Sequence, residues 1–113
     1  MTASCLFCRI VSGEIPATII RQDEHCVAFR DINPQAPVHV LVIPRVHVES
    51  LDALVDDAVA ARVLAMASEV ARQEGIATTG YRTVFNTNAA AGQTVFHLHA
   101  HVLGGRALAW PPG

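Results

Sequence analysis

Residues 96–102 read Phe96-His97-Leu98-His99-Ala100-His101-Val102, an alternation of apolar and imidazole side chains. A period of two predicts a β-strand, taken here as Val95–Leu103, because successive strand side chains point to opposite faces. His97, His99 and His101 then share one face. Phe96, Leu98, Ala100 and Val102 share the other and can enter a core. Three imidazoles in a row are a poor way to build a core, so this face is read as chemical. A single metal held by all three is disfavoured: alternate strand residues lie roughly 7 Å apart, too far for three zinc–nitrogen bonds of roughly 2.0 Å.

The residues just upstream suit a phosphoryl group. Gly92-Gln93-Thr94 offers backbone N–H groups, an amide and a hydroxyl, and Asn86 adds a second amide. Histidine can attack phosphorus while such neutral donors hold the phosphate oxygens. All eight basic residues are Arg and none is Lys, which excludes Schiff-base catalysis, a P-loop lysine and a Ser-Lys dyad. A net charge of −2 gives no electrostatic footprint for nucleic acid or an anionic membrane surface.

Working outward, residues 5–12 predict a short helix ending at Gly13. Ala17–Arg21 and Cys26–Arg30 predict a hairpin about the polar stretch 22–25, and Val38–Ile43 a third strand stopped by Pro44. Asp56–Glu74 predicts the one long helix, with Val59, Val63, Met66 and Val70 at helical spacing, an aspartate cap and Gly75 as its stop. Arg82–Asn86 is the fourth strand and the histidine row the fifth. This order implies an α+β fold with an antiparallel sheet. At 113 residues, 51% hydrophobic and 16% charged, the chain is expected to be one domain spanning residues 1–113. The beginning, 1–16, lacks the basic start and long apolar stretch of a signal peptide, and the uncharged stretch 83–105 is too polar to span a membrane. Three cysteines and no export signal lead us to expect reduced thiols in the cytoplasm.

Cys5-x-x-Cys8 has metal-ligand spacing, and His47 and His97 can complete a Cys₂His₂ tetrahedron. One such pair alone also suits plain thiols or a redox pair, although the βαβ context of the latter is missing. A catalytic zinc at His39, His97 and His99 is a third arrangement.

Together these residues resemble the histidine triad (HIT) family, in its nucleotide-binding branch. His97-Leu98-His99-Ala100-His101-Val102-Leu103 matches the family's His-x-His-x-His motif, preceded by Gly92-Gln93-Thr94-Val95 and followed by Gly104-Gly105-Arg106. The stretch Asp31 to His39, with Leu41-Val42-Ile43-Pro44, matches a second signature, and Trp110-Pro111-Pro112-Gly113 matches the branch's C-terminus. The resemblance runs from about residue 5 to 113.

It implies a HIT-like fold: five antiparallel strands, one long helix and one or two short ones, two subunits joining their sheets in a homodimer. It implies hydrolysis of purine nucleoside phosphoramidates and related adenylates through a nucleotidyl-histidine intermediate on His99, with no organic cofactor. A non-catalytic purine nucleotide-binding module, or a dinucleoside polyphosphate hydrolase of the same family, are the alternatives. By position, His39 contacts and orients the nucleophile, while His101, Asn86 and Thr94 contact phosphate. Thr94 stands where many relatives have Ser. Asp31 grips the ribose hydroxyls. Leu6, Phe7, Ile10, Ile15, Phe29 and Ile32 form the base pocket, and Trp110 reaches toward the partner subunit's leaving-group pocket or anchors the tail. Relatives with the Cys pair tie the N-terminal segment to the sheet with a closed, structural zinc, which implies Cys5, Cys8, His47 and His97 as ligands. The loop Asn86–Gly92 departs from the family in carrying Ala where relatives often have Gly or Asp.

Overall fold

The strand Val38–Pro44 (β3) is buried along nearly its whole length, which requires cover on both faces of the sheet. The computed structural model describes residues 4–113 and supplies that cover from two helices. On one face, Val40 and Val42 pack with Ala28, Ala100 and Val102 against the long helix Asp57–Gln73 (α2). On the other, Leu41 and Ile43 pack with Val27 and Phe29 against Phe7 and Ile10 of the short helix Leu6–Val11 (α1). The remaining strands are Ile19–Gln22 (β1), Cys26–Arg30 (β2), Tyr81–Val84 (β4) and Ala100–Gly104 (β5). All pairings are antiparallel, in the order β1-β2-β3-β5-β4. Short 3₁₀ turns occur at Leu51–Ala53 and Ala89–Ala91. No described helix is long and apolar enough to cross a membrane.

Local signals explain the long helix. Its buried residues, Val63, Met66, Ala67, Val70 and Ala71, recur at the i, i+3, i+4, i+7, i+8 spacing of one helix face. Asp56 caps the start by accepting from the Ala58 N–H at 3.0 Å. At the end, the Gly75 N–H reaches the Arg72 carbonyl and the Ile76 N–H the Ala71 carbonyl, a paired closure that needs the positive φ (75°) of Gly75. Ile76 then packs on Gly104, where an added Cβ would lie 2.8 Å from Ile76 Cδ1. Gly104→Ala is expected to cost about 1–3 kcal/mol of stability by overpacking, read as a lowered denaturation midpoint.

The strand through the histidines is shorter than the alternation predicts. Pairing of β5 with β3 ends at Ala100 opposite Val42. The next position on β3 that would extend it is Pro44, which has no N–H to give. Its carbonyl is taken instead by the His97 ring, and the Leu98 N–H turns to the Val48 carbonyl. Yet the two-sided sorting largely survives outside the ladder: Leu98, Ala100 and Val102 are buried, while the three imidazoles lie on the α1 side. Phe96 is the exception, exposed rather than in the core.

Candidate active site

Two histidines that lie diagonally across the β3–β5 register, His39 opposite Leu103 and His101 opposite Leu41, end up in one hydrogen-bonded chain with fixed protons. The Gln35 backbone N–H donates to His39 Nδ1 at 3.0 Å, so neutral His39 carries its proton on Nε2. That Nε2–H donates to His101 Nδ1 at 2.9 Å, with Asp31 Oδ2 also near at 3.4 Å. Neutral His101 therefore presents an Nε2–H donor. His99 is held separately: its Nδ1–H donates to the His97 carbonyl at 2.8 Å. Its Nε2 keeps a lone pair. No buried side-chain nitrogen or oxygen among the described residues lacks a partner, so this unpartnered nitrogen is reached by solvent.

Burial keeps these rings neutral. It lowers His39 and His99 below the ordinary imidazole value, against the raising effect of Asp31 on both and of the His97 carbonyl on His99. It drives His101 down to about 4, helped by His99 and His39. A neutral His99 is the form with a lone pair to give. The same shifts predict acid lability. The unfolded chain protonates these histidines near pH 6.5 while the folded chain resists, so their stabilisation is full above about 6.5 and lost as pH falls toward about 4. With chelator present, Tm is expected to fall by roughly 10 °C or more across that window, as calorimetry would read it.

His99 and His101 open onto a cleft of about 710 Å³ between α1 and the sheet. Its lining combines the apolar Leu6, Phe7, Ile10, Ile15, Phe29 and Ile32 with Asp31, Thr94, His99 and His101. The Phe7 ring stands edge-on to His99 at 5.1 Å between centroids, and His99 and His101 stand 5.0 Å apart. An apolar slot with a few convergent polar groups is the usual form of a small-molecule site. Ile32 is fully exposed and forms the rim rather than the floor.

Four groups meet beside this cleft: Cys5 and Cys8 Sγ with His47 and His97 Nδ1, all within 4.8 Å of one another. His97 Nε2–H donates to the Pro44 carbonyl at 2.8 Å, which leaves its Nδ1 lone pair aimed at the group. From Nδ1 of His97 the distances are 3.4 Å to Cys5 Sγ, 3.5 Å to Cys8 Sγ and 3.3 Å to His47 Nδ1. Ligand bonds of roughly 2.3 Å to sulfur and 2.05 Å to nitrogen give nitrogen–nitrogen and nitrogen–sulfur tetrahedron edges of roughly 3.3–3.6 Å. The residues therefore fit a tetrahedral cation. The Cys8 N–H also donates to Cys5 Sγ at 3.3 Å.

Several sequence expectations need correction. His39 bonds His101 rather than His99, and of the two acceptors open to the His99 N–H, His39 or a neighbour's backbone carbonyl, it is the His97 carbonyl that holds it. A catalytic metal on His39, His97 and His99 is not assembled, because His97 turns to the Cys5–Cys8 side. Gln93 is buried and its amide is spent within the loop: Oε1 accepts from the Asn88 N–H, and Nε2 donates to the Glu49 and Val95 carbonyls. It braces the loop rather than facing the cleft. Asn86, two residues beyond β4, is not among the residues lining the cleft; Trp110, expected to reach toward a partner subunit's pocket or to anchor the tail, is 81% exposed in the single chain. Arg82 fastens the tail through the carbonyls of Leu108 and Ala109. Leu41 lines the cleft unanticipated; its position opposite His101 in the β3–β5 register is the signal that finds it. The backbone groups of Gln35 and Pro44 leave no such signal.

A cleft lined by apolar side chains together with imidazoles, a carboxylate and a hydroxyl defines a small-molecule site. The HIT domain model matches residues 12–108, and the chain belongs to the HIT family. It is 51% identical to an uncharacterised HIT-like protein of Synechococcus elongatus, each covered over its full length. It is 43% identical to the purine nucleoside phosphoramidase of Escherichia coli, over 96% of this chain and 92% of that protein. Its fold superposes on a HIT family hydrolase from Legionella pneumophila with a TM-score of 0.94 at 49% identity, covering 97% of this chain and all of that one.

Proposed function

We propose that the chain is a hydrolase of purine nucleoside phosphoramidates and related adenylates, acting through a covalent nucleotide on His99. The observation that carries this reading is the His99 ring: one nitrogen tied to the His97 carbonyl, the other bearing a free lone pair in the cleft. The base packs against the apolar lining residues and the α-phosphate lies beside the imidazoles. His99 Nε2 attacks phosphorus, the P–N bond to the leaving amine breaks, and that amine departs with a proton drawn from solvent water. Water then attacks the phosphorus, His99 leaves, and a nucleoside monophosphate results. Splitting one hard displacement into two is the gain from covalent catalysis. The His101 Nε2–H and the Thr94 hydroxyl stand where they can donate to phosphate oxygens. The 43% identity to an enzyme named as a phosphoramidase supports the choice of substrate. Single-turnover reaction with an adenosine phosphoramidate, quenched in base, is expected to yield AMP and an adenylyl group on the peptide containing His99. Absence of both would overturn the proposal; faster release from a dinucleoside polyphosphate would redirect it within the family.

Asp31 is assigned the ribose hydroxyls. Asp31→Ala is expected to weaken AMP binding about 10- to 100-fold, the size of a hydrogen bond to a charged acceptor, yet to leave a 2′,3′-dideoxy analogue nearly unaffected. Calorimetric titration of the two ligands checks it. An equal loss for both would assign Asp31 to His39 alone.

Zinc is proposed for the Cys5, Cys8, His47 and His97 group, since two thiolates and two imidazoles suit that ion. With four protein ligands it would be structural, tying α1 to the sheet. We also propose a homodimer that extends the sheet through β4, supported by that strand's place at the sheet's edge with one side unpaired among the described residues. Light scattering is expected to give twice the 12.1 kDa chain mass. The cytoplasm is the proposed compartment, in keeping with three free cysteines.

A further inference from the structure

The Cys₂His₂ group and the cleft share structural parts, and this carries an inference beyond the presence of either. His97 is fully buried and engages both sites at once. Its Nδ1 belongs to the ligand group, its Nε2–H is fixed on Pro44, and its own carbonyl holds the Nδ1–H of His99. Any turn of the His97 backbone moves the acceptor that sets which nitrogen of His99 is free. A second route runs through α1. Cys5 caps this helix and Cys8 lies in its first turn, and between and just beyond them sit Leu6, Phe7 and Ile10, which line the cleft. A six-residue helix has no stability of its own, since isolated helices shorter than about 12–15 residues are marginal. Its place must come from what it is tied to. The Phe7 ring touches both sides, 6.0 Å from the His97 centroid and 5.1 Å from that of His99.

We propose that the ligand group and the cleft form one coupled unit, in which a cation, by fixing His97 and the first turn of α1, positions the free nitrogen of His99 and the wall that meets the base, so that nucleotide and cation bind with positive cooperativity. His97 is on this account a positioning residue. The inference rests on the nucleotide reading above for the identity of the cleft's ligand. By linkage, whatever factor the cation adds to nucleotide affinity, the nucleotide returns to cation affinity.

The test uses the full chain loaded with Co²⁺, whose visible absorption reports the ligand geometry of a site with thiolate and imidazole donors. AMP, added to saturation as followed independently by titration calorimetry, is expected to shift those bands although it touches none of the four ligands' metal-binding atoms. A cation that merely holds the fold together would give no such shift. In a second arm the cation is removed with a chelator. Where far-ultraviolet circular dichroism shows the fold retained, AMP is expected to bind about 5- to 50-fold more weakly, within the usual span of allosteric coupling. AMP binding to the Co²⁺ form with unmoved bands, or equal AMP affinity with and without cation, overturns the coupling and leaves the nucleotide reading standing. Failure of AMP to bind the loaded chain at all overturns both.

Discussion

His99→Ala is expected to reduce kcat/KM for an adenosine phosphoramidate by at least about a thousandfold, the scale on which loss of a covalent nucleophile acts. The variant should also accumulate no adenylylated protein. AMP binding should change little, because the base wall, Asp31 and the His101 donor are untouched and the removed ring is neutral rather than a charged partner of phosphate. That separation matters. A loss in turnover with binding retained marks a group that acts in the transition state, whereas a parallel loss of both would mark a collapsed cleft. Substituting His101 removes a donor and leaves the nucleophile, so a smaller loss, about 10- to 1000-fold, is expected there. Steady-state release of AMP by chromatography distinguishes the two. Turnover in His99→Ala equal to that of the unaltered chain would remove the covalent mechanism and favour a nucleotide-binding role for the same cleft.

The extent to which sequence predicts this site varies with the physics involved. Alternation through residues 97–102 sorts imidazoles from apolar side chains correctly, because a polypeptide buried on two sides must alternate even where the ladder stops. The point where it stops depends on Pro44 in another strand, which no local pattern reports. The helix α2 is legible in full because its signals are local: a capping carboxylate, a 3.6-residue apolar period and a glycine after the last turn. Gln93 is misread for the opposite reason. An amide beside a phosphate-like motif has the right chemistry, but its direction is set by three backbone partners, one of them 44 residues away. The tautomers of His39 and His99 fall in the same class, fixed by the Gln35 N–H and the His97 carbonyl, groups that every residue type possesses.

Changing Cys5 and Cys8 together to Ser is expected to take the bound metal from about one per chain to nearly none, as elemental analysis would count it after purification without affinity metals. Each serine hydroxyl is a poor ligand beside a thiolate, and two imidazoles alone do not close a tetrahedron. Stability should fall as well. A structural zinc is worth about 10 kcal/mol or more where the apo chain cannot fold, but here the α2 face of β3 packs without any of the four ligands, so only the share that docks α1 on the other face is lost. A loss of about 2–4 kcal/mol, or roughly 10–25 °C in Tm for a domain of this size, follows. The loss should be uneven: hydrogen exchange should rise first at α1 and around His97, while the amides of α2 and the β2–β3 pair keep their protection. Acid should imitate the substitution, because protons compete with the cation for two thiolates and two imidazoles, and in the metal-free group burial and the Cys5 sulfur push the Cys8 thiol up to about 11. A double-serine chain as stable as the original, and as protected at α1, would mean that packing against Phe29 and Leu41 suffices to hold the helix and that the four ligands serve no structural cation.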